Sequence, residues 1–338
     1  MSLATRPVHS RFLSACCSDV FMIEEIKGFL GEDWLRYQDD LSESLSSDIP
    51  LLDSINKYVL SNCGKQIRPM LCLLASRACG GSCIEAVKCA VSMELLHSAT
   101  LLHDDVVDQA DTRRGKATVG TLYNPKDAVL IGDYWLAKAT EVLLKHCDTR
   151  VLGVFSNCLA ELARGEVLQM EKAVSLVPDY DDYVSIISNK TASLFRTAIF
   201  CGAYCSGADS TTLDALDSYA HHLGIAFQMR DDILDYHPAE ITGKPSGQDI
   251  LERKLTLPLL EALKSATVQE SAEVLQMVRD GRVAEVTAFV RSRNGLESAQ
   301  KVLSRESSLA AAALEPLADS KAKEYLILLA LNLSERNV

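Results

Sequence analysis

Two short segments of the chain each hold three aspartates in the same spacing. They are Asp-Asp-x-x-Asp motifs, at Asp104, Asp105 and Asp108 and at Asp231, Asp232 and Asp235. Residues four apart on a helix have Cβ atoms ~5–6 Å apart, so the first and last aspartate of each motif share a face. Two like charges at ~5 Å repel by roughly 3 kcal/mol even at an effective dielectric near 20. Bound Mg²⁺ would relieve that repulsion and usually shares its coordination shell with substrate phosphates, so we predict metal ligands.

A solvated acidic helix face is the alternative interpretation of each motif. The motif occurs twice, however, and its neighbours are leucine, valine, isoleucine and phenylalanine rather than lysine and serine. Cations lie elsewhere in the chain, at Lys65, Arg68, Arg113, Arg114, Lys190, Lys244 and Lys254. Arginine offers a rigid fork of donors to phosphate, and lysine offers a movable point charge. Each cation alone is an ordinary surface residue, whereas the set predicts a site for two polyphosphates and several metal ions.

The composition of the chain restricts its possible partners and its location in the cell. The 338 residues include 46 acidic and 34 basic side chains, a net charge of −12, so we expect no nucleic acid partner. No segment has the ~20 apolar residues of a membrane span, and the N-terminus lacks the apolar core of a signal peptide. Eleven cysteines without regular zinc spacing, several in apolar surroundings, are expected to be reduced and buried. We therefore expect a soluble cytoplasmic protein.

Helices must position these residues, because apolar side chains recur at i, i+3 and i+4. This spacing predicts helices over Ala128–Lys145, Leu152–Glu171, Tyr180–Tyr204 and Leu213–Tyr236. Helix boundaries are expected at Pro50, Pro125, Pro178 and Gly80–Gly81, and a loop at 243–247. The motifs lie between 64 and 258, and no linker or repeat divides them. We predict one all-α domain over 1–338, with 1–20 as a candidate disordered segment.

The sequence resembles the trans-polyprenyl diphosphate synthases over roughly residues 45–335. The matching segments are 64–69, 94–97, 103–108, 113–115, 165–169, 190–192, 227–235, 243–244 and 253–258. Small departures occur at Cys63, Gln66 and Arg253, where the family usually has glycine, arginine and glycine. The resemblance implies a single large helical bundle around a deep central cavity, usually as a homodimer.

The resemblance also implies a role for each site residue. Isopentenyl diphosphate would be bound by Lys65, Arg68, His97 and Arg114. An allylic diphosphate, farnesyl or similar, would be bound through two or three Mg²⁺ ions on the six aspartates, with Arg113, Lys190, Thr191, Gln228, Lys244 and Lys254 completing its site. The aspartates and Lys190 would be catalytic, and the reaction would be head-to-tail condensation of the two substrates. His97 taken alone would more often be a core histidine.

The turn before Asp104 bears on product length. An extended isoprene unit spans roughly 5 Å, close to the 5.4 Å rise of one helical turn. Ala99 and Thr100 are small where short-chain members of the family carry bulky aromatics, and Leu96 narrows the next turn without blocking it. Phe155 and Trp135 are the candidates for the cavity floor, with ordinary core aromatics as the alternative. We expect about six to eight isoprene units, eight favoured, of the kind used for quinone side chains, and the product would pass to membrane enzymes.

Other functions stay open from the sequence. A geranylgeranyl or farnesyl diphosphate synthase would share the motifs and differ in product length. A class I terpene cyclase would need neither the second motif nor the cations Lys65, Arg68 and Arg114. A non-catalytic partner subunit would be expected to have lost some aspartates or cations. A purely structural helical protein would leave the clustered charges unexplained.

Overall fold

The computed structural model describes residues 21–238 and 246–334. The helices are α1 (21–30), α2 (Glu32–Ser44), α3 (Pro50–Leu60), α4 (Ile67–Ala78), α5 (Ile84–Val107), α6 (Val119–Leu122), α7 (Pro125–His146), α8 (Thr149–Ser175), α9 (Tyr180–Ile187), α10 (Ser193–Cys205), α11 (Ser210–Leu234), α12 (Gln248–Leu251), α13 (Leu257–Leu263), α14 (Val268–Arg279), α15 (Val283–Ser292), α16 (Gly295–Ala313) and α17 (Lys321–Ser334). One π-helical turn (Ser188–Ala192) joins α9 to α10. Two-residue antiparallel strands, β1 (Thr112–Arg113) and β2 (Lys116–Ala117), follow α5.

The predicted helices agree with the structure, with two differences. The predicted segments 128–145 and 152–171 lie inside α7 and α8. The third prediction, 180–204, is wrong as one uninterrupted α-helix, because the π-helical turn divides it. The fourth, 213–236, overruns by two residues, because α11 ends at Leu234. Pro50 and Pro125 are the first residues of α3 and α7. Proline has no N–H donor, and at this position the helix does not need one.

Helix α5 lies at the centre of the bundle. Its residues from Cys89 to Leu96 are buried without a break, so every face of this stretch contacts protein. Helix α7 runs antiparallel beside it, with Ser92 Oγ donating to the Ala139 carbonyl (3.0 Å) and His103 Nε2 lying 3.2 Å from the Val129 carbonyl. Helix α10 packs on α4 and α5, and α11 packs on α10 and α16. The motif-bearing α5 and α11 therefore both contact α10.

Most buried apolar side chains belong to one large cluster, which runs from α1 through to α17. A smaller cluster lies between α13, α14 and α15. The predicted burial of Cys72, Cys89, Cys158 and Cys201 is confirmed. Among the described residues, no helix combines the length and apolarity that a membrane crossing requires. The division into one domain stays a prediction, and the segment 1–20 lies outside the described residues.

Candidate active site

Both aspartate motifs occupy the last turn of a long helix. The Asp108 amide donates to the Asp104 carbonyl at the end of α5 (2.8 Å), and the Asp235 amide donates to the Asp231 carbonyl at the end of α11 (3.1 Å). Neither last turn contains a basic residue. A helix C-terminus carries a partial negative charge, so carboxylates there are disfavoured unless a cation lies close by. Two such ends with six carboxylates create a strongly cation-attracting site.

The first motif is partly desolvated and faces acids from other elements. Burial, followed by the nearby charge of Glu166 on α8, raises the pKa of Asp104 to about 6. Asp105 is buried and accepts a hydrogen bond from Arg113 Nε (2.6 Å), although burial still raises its pKa. Asp108 is exposed. Asp104 and Asp108 are therefore available to a ligand, while Asp105 holds Arg113.

In the second motif, two of the three aspartates accept hydrogen bonds from the protein. Asp232 is buried, accepting hydrogen bonds from the Tyr183 hydroxyl (2.7 Å) and from Gln228 Nε2 (3.0 Å). Burial raises its pKa to about 6. Asp235 accepts from the amides of Gln248 and Asp249, both at 3.1 Å, and Asp231 is exposed. Carboxylates with raised pKa values and oxygen atoms on an open face are the donors that a hard divalent ion prefers, so the residues fit Mg²⁺.

Lys190 and Thr191 lie on the π-helical turn. Lys190 Nζ contacts Glu166 Oε1 (2.7 Å) and Gln169 Oε1 (2.9 Å), both on α8. The close approach needs glycine at Gly165, where a Cβ would lie 2.7 Å from Lys190 Cγ. Such π-helical turns often occur at functional sites, because the extra residue redirects the side chains that follow. Here the turn brings Lys190 beside the first motif.

A hydrogen-bond chain ties the same turn to the second motif. The Thr191 hydroxyl donates to Gln228 Oε1 (2.7 Å), and Gln228 donates on to Asp232. A cavity of about 110 Å³ lies beside these groups, lined also by Lys190, Lys254 and apolar side chains of α8 and α9. The structure thus brings four predicted allylic-site residues together with an aspartate of the second motif.

Three acids of the site were missed by sequence reasoning. Lys254 forms ion pairs with Glu252 and with Asp249 (3.5 Å). Burial, followed by the charge of Asp232, raises the pKa of Asp249 to about 8. Glu166 lies within the segment 165–169 that resembles the family, and it forms an ion pair with Lys190. Asp249 and Glu252 lie outside the matching segments, and no local spacing marks the three acids as neighbours of the aspartates. Lys244 lies outside the described residues.

A second group of predicted binding residues lies at the start of α4 and in the middle of α5. Arg68 Nη1 lies 3.0 Å from His97 Nε2, and the Arg68 guanidinium sits over the Phe195 ring, 5.1 Å from its centroid. Glu94, buried beside them, has its pKa raised to about 7 by burial, against the opposing charges of Arg68 and then Arg114. These contacts bring together Arg68 and His97, two of the residues expected to bind isopentenyl diphosphate.

Arg114 and Lys65 flank that group. Arg114 Nη1 donates to the Asn62 carbonyl (2.8 Å), and its guanidinium covers Gly64, where a Cβ would lie 2.6 Å from Cζ. Burial lowers the pKa of His97, and the charges of Arg68 and Arg114 lower it further, so the ring is neutral. Lys65 is exposed and lies in the loop just before α4.

The predicted chain-length residues lie on α5 before the first motif and on the helices α7 and α8. Ala99 and Leu96 are buried, and the Thr100 hydroxyl donates to the His97 carbonyl (2.9 Å). Trp135 on α7 is buried, and its indole N–H donates to Asn56 Oδ1 (2.8 Å). Phe155 is buried on α8, eleven residues before Glu166 and so roughly 16 Å along the helix. Their assignment as the cavity floor stays a prediction.

The profile of the Polyprenyl synthetase family matches residues 49–292. The chain belongs to this family. Among Polyprenyl synthetase relatives, the octaprenyl diphosphate synthase of Haemophilus influenzae is 33% identical over 324 residues, which cover 94% of this chain and 98% of that protein. The predicted family and the assignment as a prenyltransferase are confirmed.

Solved structures of Polyprenyl synthetase proteins share the fold. A decaprenyl diphosphate synthase from Rhodobacter capsulatus superimposes with a TM-score of 0.87 at 34% identity, covering 93% of this chain and 98% of its own. A polyprenyl synthase from Caulobacter crescentus, complexed with calcium and isoprenyl diphosphate, gives a TM-score of 0.85 at 30% identity with the same coverage. The predicted all-α fold of isoprenoid synthase type is confirmed.

Proposed function

We propose that the chain is a long-chain all-trans-polyprenyl diphosphate synthase that condenses isopentenyl diphosphate head-to-tail onto an allylic diphosphate such as farnesyl diphosphate. The observation that carries the proposal is the presence of two separate groups of candidate diphosphate-binding side chains. Lys190 and Lys254 lie between the aspartate motifs, whereas Arg68 and His97 lie apart from them on α4 and α5. A condensation needs two diphosphate sites, and a cyclase needs one.

The aspartates are the proposed Mg²⁺ ligands, two or three ions in all. We place the ions on Asp104 and Asp108 of α5 and on Asp231 and Asp235 of α11. Asp235 also accepts hydrogen bonds from the amides of Gln248 and Asp249, and Asp105 and Asp232 accept hydrogen bonds from side chains. When bound, Mg²⁺ supplies electrostatic stabilisation of the negative charge on the departing pyrophosphate. The Caulobacter crescentus protein is complexed with calcium and isoprenyl diphosphate, which supports the use of a divalent ion.

The remaining side chains bind and orient the substrates. Lys190 and Lys254 supply preorganised positive charge to the allylic diphosphate, an effect that is strong where water is excluded. Arg113, Thr191, Gln228 and Lys244 complete that site. Arg68, His97, Arg114 and Lys65 hold isopentenyl diphosphate so that its double bond faces the allylic carbon. Apolar side chains around the growing chain keep water from the carbocation. The departing pyrophosphate is the proposed acceptor of the lost proton.

The proposed product has about six to eight isoprene units, eight favoured, and serves as a quinone side chain attached by membrane enzymes. The side chains of Ala99 and Thr100 are small, so they are proposed to let the growing chain pass the turn before the first motif, and two relatives are named octaprenyl and decaprenyl diphosphate synthases.

We also propose a homodimer. Helix α8 carries an exposed apolar stripe at Val167, Met170 and Val174, whose exposed fractions are 65%, 62% and 80%. Leu130 on the neighbouring α7 is 54% exposed. A stripe of this kind on adjacent helices is typical of a surface that another subunit covers.

One incubation tests the proposed activity. The protein is mixed with farnesyl diphosphate, isopentenyl diphosphate and Mg²⁺, and the extracted products are identified by mass spectrometry. Elongated, uncyclised diphosphates are expected. A cyclic hydrocarbon would assign a class I terpene cyclase, and no turnover would assign a non-catalytic subunit. The same mixture without isopentenyl diphosphate is the control, since a cyclase would still consume farnesyl diphosphate there.

A further inference from the structure

Three cysteines that are distant in the sequence meet at one end of the bundle. Cys89 on α5 has its sulfur 3.6 Å from that of Cys147 and 3.9 Å from that of Cys205. All three sulfurs lie within 4.8 Å of one another, and all three cysteines are free thiols. Cys147 follows the last residue of α7, and Cys205 is the last residue of α10. The cluster therefore joins three helices.

The separations agree with those of thiolates around one metal ion. Four ligands at a zinc–sulfur distance of ~2.3 Å in a tetrahedron place neighbouring sulfurs about 3.8 Å apart. Two thiols in simple contact have similar separations, so a single pair would carry little weight. Three mutually adjacent sulfurs, with the buried thiol of Cys201 also contacting Cys89, form a donor set. Soft thiolates select d¹⁰ ions such as Zn²⁺ and Cu⁺.

A second set of contacts holds two of the ligands in place. Asp148, next to Cys147, caps α8 through the amides of Arg150 (3.0 Å) and Val151 (3.1 Å). Its other carboxylate oxygen accepts a hydrogen bond from the hydroxyl of Tyr204 (2.6 Å), the neighbour of Cys205. This bond fixes the start of α8 to the end of α10, so Cys147 and Cys205 are positioned without a disulfide.

The electrostatics favour a cation, and the location separates it from the aspartates. The C-terminal ends of α7 and α10, which carry partial negative charge, both lie at the cluster. Cys147 and Cys205 are only half-buried, which gives an ion access. Cys89 and Asp104 are fifteen residues apart on α5, so roughly 22 Å separates the two sites.

We propose that Cys89, Cys147 and Cys205 form a structural site for one thiophilic d¹⁰ metal ion, with Zn²⁺ as the representative ligand. The ion ties α5 to the α7–α8 turn and to the end of α10. It stabilises the end of the bundle opposite the aspartate motifs and takes no part in the transfer reaction. The assignment is independent of the proposed function.

Titration of the reduced full-length chain with Co²⁺ tests the site. Sulfur ligation gives thiolate-to-cobalt charge-transfer absorption in the near ultraviolet, which cobalt on carboxylates does not give. We expect this absorption to saturate at one Co²⁺ per chain and to be lost in Cys147→Ser and in Cys205→Ser. Cys79→Ser, a half-buried cysteine on another part of the chain, is the matched control and should retain it. No charge-transfer band, or a band unchanged in both variants, would overturn the proposal.

A second measurement on the unaltered chain guards against variants that fail to fold. Zn²⁺ should protect Cys89, Cys147 and Cys205 from alkylation, as mapped by mass spectrometry, and should raise the melting temperature by several degrees. Cys16 and Cys17 are adjacent in the sequence and are alternative sulfur ligands. Protection of these two cysteines instead would overturn the assignment. So would oxidation of Cys147 to a disulfide with Cys89 or Cys205 in the presence of saturating Zn²⁺.

Discussion

Lys190 Nζ lies 2.7 Å from Glu166 Oε1, between the ends of the two helices that carry the aspartate motifs. The pair joins the π-helical turn to α8 and leaves the charge of Lys190 balanced by a carboxylate when substrate is absent. Glu166 also raises the pKa of Asp104. A diphosphate bound by Lys190 would replace Glu166 as its partner, so this ion pair links substrate binding to the protonation of the first motif.

The first prediction concerns the metal. Asp104→Ala and Asp231→Ala should each lower turnover by several orders of magnitude, because each removes an oxygen ligand from a site of otherwise repelling carboxylates. Turnover should also stop in EDTA and return with Mg²⁺. Asp319→Ala, at a fully exposed aspartate, is the matched control and should behave as the unaltered enzyme. Undiminished turnover in EDTA would contradict the prediction.

Removing cations from the second group of predicted binding residues should separate the two substrates. Lys65→Ala and Arg68→Ala are each expected to raise the KM for isopentenyl diphosphate at least tenfold. Each removes a hydrogen bond to a charged group, and the free energy of one such bond corresponds to a change of about this size. The KM for the allylic substrate should change little, because Arg68 contacts His97 and Phe195 rather than the motifs. Lys57→Ala, an exposed lysine on α3, serves as the control. An effect confined to the allylic substrate would mean that the pockets are reversed.

The apparent affinity for Mg²⁺ should depend on pH. The pKa of Asp104 is raised from its ordinary value to about 6, so below pH 6 this carboxyl holds a proton that must leave before a metal binds. Affinity should therefore fall as the pH is lowered through 6. Glu166→Gln removes a charge that raises this pKa, so the fall should begin at lower pH. Calorimetric Mg²⁺ titrations at pH 5 and 7 test this. Glu171→Gln, at an exposed glutamate on the same helix α8, is the control. Identical profiles for Glu166→Gln and the unaltered chain would refute the coupling.

Sedimentation equilibrium tests the homodimer. The chain has a mass of 36.9 kDa, and we expect a species of twice that mass at micromolar concentration. Val174→Asp places a charge on the apolar stripe of α8 and should weaken the dimer, because the charge would lose water on association. Val268→Asp, at an equally exposed valine on α14, should leave the dimer intact. A 36.9 kDa species alone for the unaltered chain would count against the proposal.

The chemistry-bearing residues were predictable from the sequence where they form motifs, and their partners were not. The repeated aspartate spacing, with apolar neighbours, is enough by itself to indicate a site. Asp249 and Glu166 approach the aspartates only through the packing of separate helices, which local spacing does not encode. The π-helical turn was missed because the apolar periodicity continues through it. The three clustered cysteines were missed for the same reason as Asp249, since no short spacing connects them.

The last prediction concerns product length. Ala99 is buried on α5 five residues before Asp104, where the growing chain is expected to pass, so Ala99→Phe should stop growth at about farnesyl or geranylgeranyl length. Phe155→Ala should lengthen the product, because it removes a ring that is proposed to form the floor of the cavity.

Chromatography of the dephosphorylated products measures both effects. Trp135→Phe is the comparison: the indole is held by Asn56, so its loss should lower the melting temperature and leave product length unchanged. A longer product from Trp135→Phe, with none from Phe155→Ala, would assign the floor to Trp135. An unaltered enzyme that stops at fifteen or twenty carbons would show that small residues before Asp104 do not permit long products.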